Sequence, residues 1–220
     1  MKEEGRKGFS KKYWDENYSD LDTMDGVANA KDHARYIKHT FAYEFVDIST
    51  IIDFGAGLGH MFQAVLKEFK PYKTIAIEPS DYAFERLSKK KLKSVDSTKV
   101  NLYQEDILKF CESRLSKLNT LDLGLCTSVF QYLQEDEIDK ILPILSEKIR
   151  YLYFTVPTDV ELKRQREELE FCDEYAYSRS KDWYFKKLSP HFTFISARLL
   201  ESKVHFNEEN TLFTDLLFRF

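Results

Sequence analysis

The chain is poor in cysteine, proline and glycine, and what it lacks excludes several classes of protein. Among 220 residues there are 3 cysteines, 5 prolines and 7 glycines. Cys111, Cys126 and Cys172 are widely spaced and form no CxxC pair, so we predict neither a disulfide framework nor a zinc or other metal site. No apolar run approaches the roughly 20 residues of a membrane span, and the charged start MKEEGRKGFSKK lacks the apolar core of a secretion signal. We therefore expect a cytoplasmic protein with reduced cysteines and no membrane span.

Positive charge is not in excess either. The formal net charge is −4, with 43% hydrophobic and 32% charged residues, as in ordinary soluble globular proteins. An acidic balance offers no general attraction to phosphates, so we do not expect a nucleic-acid partner. The length suits one domain with appendages. Nothing in the sequence indicates an oligomeric state.

From Thr50 onward, apolar segments of strand length alternate with segments of helical period, which is typical of a parallel sheet covered by helices. The last two predicted strands should pair as an antiparallel hairpin at the sheet edge. The seven predicted strands are TIIDF (50–54), KTIAIE (73–78), KVNLYQ (99–104), LDLGLCT (121–127), YLYFTV (151–156), FTFISARLLES (192–202) and TLFTDLLFRF (211–220).

Helices are predicted between these strands and before the first one. They are MFQAVLKEF, DYAFERLSKKKL with Ser80 as N-cap, ILKFCESRLSKL, EDEIDKILPILSEKI, ELKRQREELEF and KDWYFKKLSPH. In residues 1–49 the apolar residues that recur at helical spacing are Ala30, Ala34, Ile37, Phe41 and Phe45. We therefore divide the chain into a helical N-terminal cap (1–49) and one compact domain (50–220).

A glycine-rich turn follows the first strand in IIDFGAGLGHMF. Turns of this kind bind nucleotides, and the spacing decides which one. A triphosphate loop needs a lysine and a hydroxyl residue after its last glycine, and neither follows Gly59. A dinucleotide turn needs a third glycine five positions after Gly55, where this chain has His60.

The spacing found is D-x-G-x-G-x-G, formed by Asp53, Gly55, Gly57 and Gly59. It resembles the first motif of the class I (seven-stranded) S-adenosylmethionine-dependent methyltransferases. The resemblance implies S-adenosylmethionine as cofactor and a Rossmann-like α/β fold whose seven-stranded sheet is mostly parallel, with an antiparallel C-terminal hairpin and helices on both faces. A carboxylate suits that ligand, which carries an ammonium and a sulfonium, whereas glycines let the backbone come close to it.

Three more elements in chain order fit the same family. The resemblance implies that Glu78 binds the ribose hydroxyls and that Pro79 packs near the adenine. It assigns Asp106 to the adenine amino group and Ile107 to the ring, with Glu105 as the competing acid. Asp106 would also serve as the N-cap of the following helix.

The fourth element, LCTSVFQYL, resembles the motif at the methyl-donor end of the cofactor. The residues assigned to cofactor binding are Asp53, Gly55, Ala56, Gly57, Gly59, Glu78, Pro79, Asp106, Ile107, Thr127, Ser128 and Val129. Candidates for the acceptor pocket are Phe130, Gln131, Tyr132, Thr158 and Trp183. Two aromatic groups, Tyr13-Trp14-Tyr18 and Trp183-Tyr184-Phe185, belong either to the core or to a lid over the acceptor.

No residue is identified as a general base, and the candidates are His60, Tyr132 and His33. For His60, an orienting hydrogen bond or simple packing is favoured over a role as base. His33 and His39 are expected to lie away from the apolar stripe of the cap helix. The Asn/Asp-Pro-Pro-Tyr/Phe motif of amino methylation in nucleic acids is missing, and so is the Pro-Cys pair of cytosine methylation.

We therefore expect O- or N-methylation of a small molecule, or of an acceptor linked to a carrier, sugar or lipid, with a protein side chain second. Two alternatives stay open. One is a catalytically inactive partner subunit with a methyltransferase fold, and the other is an NAD(P)-dependent oxidoreductase.

Overall fold

The computed structural model describes residues 9, 11, 13–14, 27–92, 100–169, 171, 173–216 and 219. Tyr18, Cys172 and the ends of two predicted strands, at residue 99 and after residue 216, lie outside them. The helices are α1 (Ala30–Tyr43), α2 (His60–Phe69), α3 (Asp81–Lys89), α4 (Ile107–Ser113), α5 (Glu135–Lys148), α6 (Asp159–Glu168) and α7 (Lys181–Leu188). The strands are β1 (Thr50–Phe54), β2 (Lys73–Ile77), β3 (Asn101–Tyr103), β4 (Leu121–Thr127), β5 (Ile149–Thr155), β6 (Phe192–Phe194) and β7 (Leu199–Ser202). Short 3₁₀ turns cover Leu115–Lys117 and Phe130–Tyr132.

The strands form one seven-stranded sheet in the order β3-β2-β1-β4-β5-β7-β6. Strands β1 to β5 are parallel, whereas β7 is antiparallel to both β5 and β6. This confirms the predicted fold class. The order reverses direction between β1 and β4, and ligands of open α/β sheets bind beyond the carboxyl ends of the strands at such a point.

The two faces of the sheet carry separate apolar layers. Ile51 packs with α1 and α2, whereas the next residue, Ile52, packs with α4, α5 and α7. Successive residues of a strand point to opposite faces of the sheet. The sequence of a strand that is buried on both sides is therefore a nearly continuous apolar run. Asp53 therefore lies on the face covered by α1 and α2.

Helix α1 corrects two expectations about the N-terminal segment. Phe45, predicted on its apolar face, is 93% exposed and has a φ of 56° beyond the helix end. There the Val46 N–H donates to the Phe41 carbonyl, so the helix ends in a left-handed turn. Val46, and not Phe45, packs against the apolar layer. His33, expected off the stripe, is 6% exposed because it lies three and four residues from Ala30 and Ile37. His39 is exposed as expected.

The antiparallel pair lies earlier in the chain than predicted. Segment 192–202 is not one strand but two, β6 and β7, and the described residues 211–216 include no strand. The Ser196 hydroxyl accepts hydrogen bonds from the backbone N–H groups of Arg198 and Leu199, which turns the chain between the strands. The hairpin is thus built inside the first of the two predicted segments.

At the amino edge of the sheet, the Asp122 carboxylate joins β4 to the start of β1. Its Oδ2 accepts hydrogen bonds from the backbone N–H and the hydroxyl of both Ser49 and Thr50, at 2.9–3.1 Å. The Asp122 N–H in turn donates to the Thr50 hydroxyl at 2.7 Å. This clamp fixes the register of two central strands at the edge opposite the glycine turn.

Near the C-terminus, Glu201 of β7 has no exposed surface. Its carboxylate accepts hydrogen bonds from the Arg219 guanidinium and, at 2.9 Å, from the Thr211 hydroxyl. The last described residue is thereby tied to a strand inside the sheet. None of the helices in the described ranges is long and apolar enough to cross a membrane.

Candidate active site

Three segments that follow strands meet at the carboxyl edge of the sheet. They are the glycine turn after β1, Glu78 directly after β2, and the loop after β4. Backbone bonds tie the first two together, since the Gly55 and Ala56 N–H groups both donate to the Ile77 carbonyl at 2.8–2.9 Å. This is the edge and the switch point at which a ligand is expected.

The three glycines of the turn all have left-handed backbone angles. Their φ values are 73° at Gly55, 54° at Gly57 and 75° at Gly59, a region that other residues enter only at a cost. A Cβ on Gly55 would lie 2.6 Å from Val129, and one on Gly59 would lie 2.4 Å from Leu87. The turn thus needs glycine both for its conformation and for the close approach of its neighbours.

Asp53 is the carboxyl group beside this turn. It is 1% exposed, and its Oδ1 has no hydrogen-bond partner among the described residues. Burial, with a smaller contribution from Glu78, raises the pKa of Asp53 to about 8. A buried acceptor without a donor costs stability, so a ligand that carries positive charge and N–H groups would complete this site.

Glu78 holds the turn from the other side. Its Oε2 accepts the Gly57 N–H at 2.7 Å and its Oε1 accepts the Ser80 N–H at 2.8 Å. Burial raises the pKa of Glu78 to about 7, although these two donors lower it. Each carboxylate oxygen has two lone pairs, so both can also accept a hydroxyl donor from a ligand.

The loop after β4 packs directly on the glycine turn. Val129 contacts Gly55, and Ser128 has a φ of 55° while its N–H donates to the Thr155 carbonyl at 2.8 Å. Thr127 pairs with Thr155 at the end of the two strands. The structure therefore brings Asp53, Gly55, Gly57, Glu78 and Val129 together.

Phe9 and Trp14 of the N-terminal segment lie over this edge. The Trp14 indole lies 3.4 Å from the position of a Cβ on Gly57, and its N–H donates to the Ser80 hydroxyl at 2.9 Å. The same hydroxyl donates to the Phe9 carbonyl at 2.9 Å and also caps α3 through the Ala83 N–H. Ser80 thus connects the helix cap, which was predicted, with a contact to the N-terminal segment, which was not.

An aromatic cluster adjoins Trp14. It consists of Phe9, Tyr13, Tyr132 and Tyr175, with Phe9 4.8 Å from Tyr132 and 5.0 Å from Tyr13 between ring centroids. The Tyr132 hydroxyl donates to Asp173 Oδ2 at 2.6 Å. The Tyr13 hydroxyl oxygen lies 3.4 Å from the Tyr132 hydroxyl oxygen. Burial, and then the Asp173 carboxylate, raises the pKa of the Tyr13 hydroxyl.

Hydrogen bonds to backbone carbonyls hold the loops of the cluster together. Arg179 donates to the carbonyls of Phe130 and Leu133 at 3.1 and 2.7 Å, and the Tyr177 N–H donates to the Gln131 carbonyl at 2.7 Å. Segment 173–180 is thereby fixed against the 3₁₀ turn that carries Tyr132.

No model of a protein family matches the chain, and no curated protein matches it. Solved structures do. The plantazolicin methyltransferase BpumL, in complex with a pentazolic desmethylPZN analog and SAH, matches with a TM-score of 0.65 and 18% identity over 84% of this chain and 72% of that one.

Two further solved structures have the same fold. Magnesium protoporphyrin IX methyltransferase (ChlM) from Synechocystis PCC 6803, with bound SAH, has a TM-score of 0.58 and 14% identity over 90% of this chain and 96% of its own. The small RNA methyltransferase HEN1 has a TM-score of 0.56 and 18% identity over 82% of this chain and 26% of its own. The chain has the class I methyltransferase fold.

Within this methyltransferase fold, the proposed adenine residues follow β3, the edge strand that pairs with β2. Asp106 caps α4 by accepting the Lys109 N–H at 2.7 Å, and Ile107 is buried. Glu105, the competing acid, forms an ion pair with Arg114 at 3.0 Å. Pro79, between Glu78 and Ser80, is half-buried.

The three candidate bases occupy different places in the methyltransferase fold. His60 begins α2 after the glycine turn, where burial, and then Lys90, lowers its pKa. His33 lies between the Tyr153 hydroxyl, 2.5 Å from its Nδ1, and Arg198, whose Nη1 is 3.2 Å from both ring nitrogens. Only Tyr132 belongs to the aromatic cluster.

The remaining candidates for the acceptor pocket lie at different places in the fold. Phe130 and Gln131 are buried beside Tyr132, and Gln131 Oε1 has no partner among the described residues. Thr158 is half-buried at the start of α6. Trp183 instead packs against Arg179, 4.4 Å from the guanidinium carbon to the ring centroid, on the side of α7.

Sequence reasoning did not identify Phe9, Asp173, Tyr175 and Arg179. It also missed the contact between Ser80 and Trp14. No local motif marks them, because their roles come from contacts between segments far apart in the chain. Across the described residues, no group of three or more His, Cys, Asp or Glu side chains is placed to hold a metal ion.

Proposed function

We propose that this protein is an S-adenosylmethionine-dependent methyltransferase that transfers a methyl group to oxygen or nitrogen of a small molecule, or of an acceptor linked to a carrier, sugar or lipid. One observation carries the proposal: a buried carboxyl, Asp53, with an unpartnered oxygen beside three glycines in left-handed conformation. The fold of three solved methyltransferases supports it.

The residues present fit this cofactor. Its ammonium and sulfonium would offset the cost of burying Asp53, and the glycines let the backbone of the turn come close to a ligand. When bound, S-adenosylmethionine supplies a methyl group on a positively charged sulfur. A dinucleotide, in contrast, would bring its pyrophosphate toward a buried acid.

We assign the following roles to the chain's own residues. Asp53 binds the amino-acid end of the cofactor, with Ala56 and Gly59 completing the turn. Glu78 binds the ribose hydroxyls while it keeps its backbone donors. Asp106 and Ile107 bind the adenine, and Thr127, Ser128 and Val129 line the donor end.

Trp14 and the aromatic cluster exclude water in this proposal. Trp14 is 6% exposed and Tyr13 is 8% exposed, so both already form a dry surface over the carboxyl edge of the sheet. Methyl transfer depends mainly on alignment and on the exclusion of water, which such a surface provides. We further propose that the protein is cytoplasmic and that residues 1–49 act as the cap of the domain formed by 50–220.

Parallel calorimetric titrations of the purified protein test the proposal. We expect micromolar binding of S-adenosylmethionine and S-adenosylhomocysteine and no binding of NADH. Binding of NADH alone would favour the oxidoreductase alternative, and failure of all three to bind would contradict the cofactor assignment. Binding of the cofactor without turnover of any acceptor would favour the inactive partner subunit.

A further inference from the structure

The Trp14 indole contacts both of the residues that hold the Glu78 carboxylate. Its six-membered ring is 3.4 Å from the position of a Cβ on Gly57, and its N–H donates to the Ser80 hydroxyl at 2.9 Å. Gly57 and Ser80 are the residues whose backbone N–H groups donate to Glu78, at Oε2 and Oε1 respectively. The indole therefore extends from one donor of the carboxylate to the other.

This arrangement determines what lies next to a ligand of Glu78. Each oxygen of a carboxylate has two lone pairs, so each can accept a ligand hydroxyl in addition to its backbone donor. A sugar whose two hydroxyls bind the two oxygens spans the same two residues, Gly57 and Ser80, as the indole does. The sugar and the indole are then neighbours.

The middle glycine of the turn is the place where the N-terminal segment comes close to it. A Cβ on Gly55 would face Val129, which belongs to the sheet domain, whereas a Cβ on Gly57 would face Trp14. The contact distance of 3.4 Å to that position depends on the missing side chain. Gly57 thus admits an aromatic ring from outside the sheet domain to the backbone of the turn.

The indole is held firmly in this position. It is 6% exposed and stacks on the Tyr82 ring, with ring centroids 6.5 Å apart and an angle of 20° between the planes. The Ser80 hydroxyl that accepts its N–H also donates to the Phe9 carbonyl at 2.9 Å. A ring that is already fixed loses little conformational freedom when a ligand packs on it, so the contact favours binding.

The chemistry of an indole suits a nucleoside. Aromatic side chains are surfaces on which nucleobases stack, and tryptophan offers a large apolar area. A ring beside Glu78 also keeps water away from the hydrogen bonds between its carboxylate and a sugar, and such bonds are stronger where water is excluded.

Resting on the proposed function, we propose that Trp14 is a cofactor-binding residue whose indole packs against the nucleoside part of S-adenosylmethionine, at the ribose that Glu78 binds. The cofactor site is then shared between the sheet domain and the N-terminal segment. The glycine motif and the strand-end acids describe only the part of the site that the sheet domain contributes.

Calorimetric titration of variants with S-adenosylhomocysteine tests this contact. Trp14→Ala should lower the affinity at least tenfold. Trp14→Phe keeps an aromatic ring but loses the hydrogen bond to Ser80, and it should lower the affinity no more than threefold. The matched control is Phe206→Ala, which removes an aromatic ring that is 7% exposed and stacks on Tyr151, and it should leave the affinity within twofold.

Three results would overturn the inference. The first is a smaller loss in Trp14→Ala than that expected, and the second is an equal loss in Phe206→Ala, which would assign the effect to a general loss of packing. The third is binding by Trp14→Phe that is as weak as that by Trp14→Ala, which would assign the effect to the hydrogen bond with Ser80 and not to a contact between ring and ligand.

A second measurement keeps Trp14 in place and so does not depend on how its variants fold. The chain has two tryptophans, and Trp183→Phe leaves Trp14 as the one that remains. Titration of this protein with S-adenosylhomocysteine should change the fluorescence of Trp14 in proportion to the bound fraction that calorimetry gives. Fluorescence that stays constant while the ligand binds would also overturn the inference.

The two proposals can fail separately. If S-adenosylhomocysteine does not bind to the unmodified protein, the proposed function is wrong. If it binds and Trp14 fails either test, only the role of Trp14 is wrong.

Discussion

Asp53 lowers the stability of the folded protein because its carboxyl is buried and one of its oxygens has no partner among the described residues. In the unfolded chain the same group ionises near pH 4, whereas in the folded chain its pKa is about 8. Between these values the folded protein keeps a proton that the unfolded chain releases. Stability must therefore fall as the pH rises through this window, by up to about 1.4 kcal/mol per pH unit for one proton.

We predict that Asp53→Asn flattens this dependence. Urea unfolding at pH 5, 6, 7 and 8 should show the free energy of unfolding of the unmodified protein falling with pH, and the slope of the variant should be smaller by about one proton. Part of the slope will persist because the pKa of Glu78 is also raised, to about 7. Identical slopes would mean that Asp53 is ionised in the folded protein at neutral pH.

Cofactor binding should follow the opposite trend. The ammonium group of S-adenosylhomocysteine favours the ionised Asp53 carboxylate, so the affinity for this ligand should rise about tenfold or more from pH 6 to pH 8. Asp53→Asn should lower the affinity at pH 8 at least tenfold and remove most of the pH dependence. Asp136→Asn, an exposed control on α5, should behave like the unmodified protein in the same titrations.

Prediction from sequence succeeded at the residue scale where the signal is local. Asp53 and the glycines lie within seven positions, and their spacing alone indicates a turn of this kind. Helical spacing also places His33 on the buried face of its helix, so the prediction that it lies away from the apolar stripe was wrong. Asp173 carries no such signal, because its partner Tyr132 lies 41 positions away.

At the scale of elements, the start of α2 depends on Gly59. Its φ of 75° favours glycine, and an added Cβ would lie 2.4 Å from Leu87 of α3. We predict that Gly59→Ala lowers the free energy of unfolding by about 1–3 kcal/mol, since the left-handed region alone costs about 1–2 kcal/mol.

Chemical unfolding of Gly59→Ala measures this cost, with Glu68→Ala on the exposed side of α2 as a control expected to change it by less than about 0.5 kcal/mol. The same substitution in a Leu87→Ala background separates backbone strain from crowding. A cost that vanishes in that background would assign all of it to the contact with Leu87.

The Asp122 clamp should affect stability and not binding. Asp122→Ala leaves four donors of Ser49 and Thr50 without their acceptor, and we predict a loss of about 2–4 kcal/mol in the free energy of unfolding. Binding of S-adenosylhomocysteine at 10 °C should stay within twofold, because the clamp lies at the opposite edge of the sheet. A large loss of affinity in folded protein would show that the two edges are coupled.

Helices and strands were predictable where the spacing of apolar residues distinguishes the two. Strands β1 and β4 have the predicted bounds, and the helices agree with expectation to within a few residues. The division of 192–202 into two strands was not predictable from that period. It depends on one hydroxyl, Ser196, which bonds to the backbone of the next turn.

At the scale of the whole molecule, the Glu201 ion pair joins the end of the described chain to the sheet. Removing one partner of a buried pair leaves a charge without compensation, which costs about 3–5 kcal/mol. We predict a loss of this size for Arg219→Ala, measured by chemical unfolding. Arg219→Ala combined with Glu201→Gln should recover part of it, and a single variant as stable as the unmodified protein would show that Arg219 does not neutralise Glu201.

The overall sheet was predictable because five strand signals alternate with helical ones, and two further strand signals near the C-terminus indicated an antiparallel pair at the sheet edge. The contacts across the molecule were not. Trp14 reaches Ser80, 66 positions along the chain, and Arg198 reaches His33 across 165 positions. Such contacts depend on the path of the chain in space, which neither period nor spacing encodes.

The clamp at Asp122 also bears on how this protein could change over evolutionary time. It anchors β1 to β4 at the amino edge, while the loops that would contact an acceptor follow β4 and β5 at the carboxyl edge. Substitutions in those loops therefore do not disturb the anchor. A lineage, or a protein engineer, could replace residues around Tyr132, a proposed acceptor residue, while the framework that holds Asp53 and Glu78 stays intact.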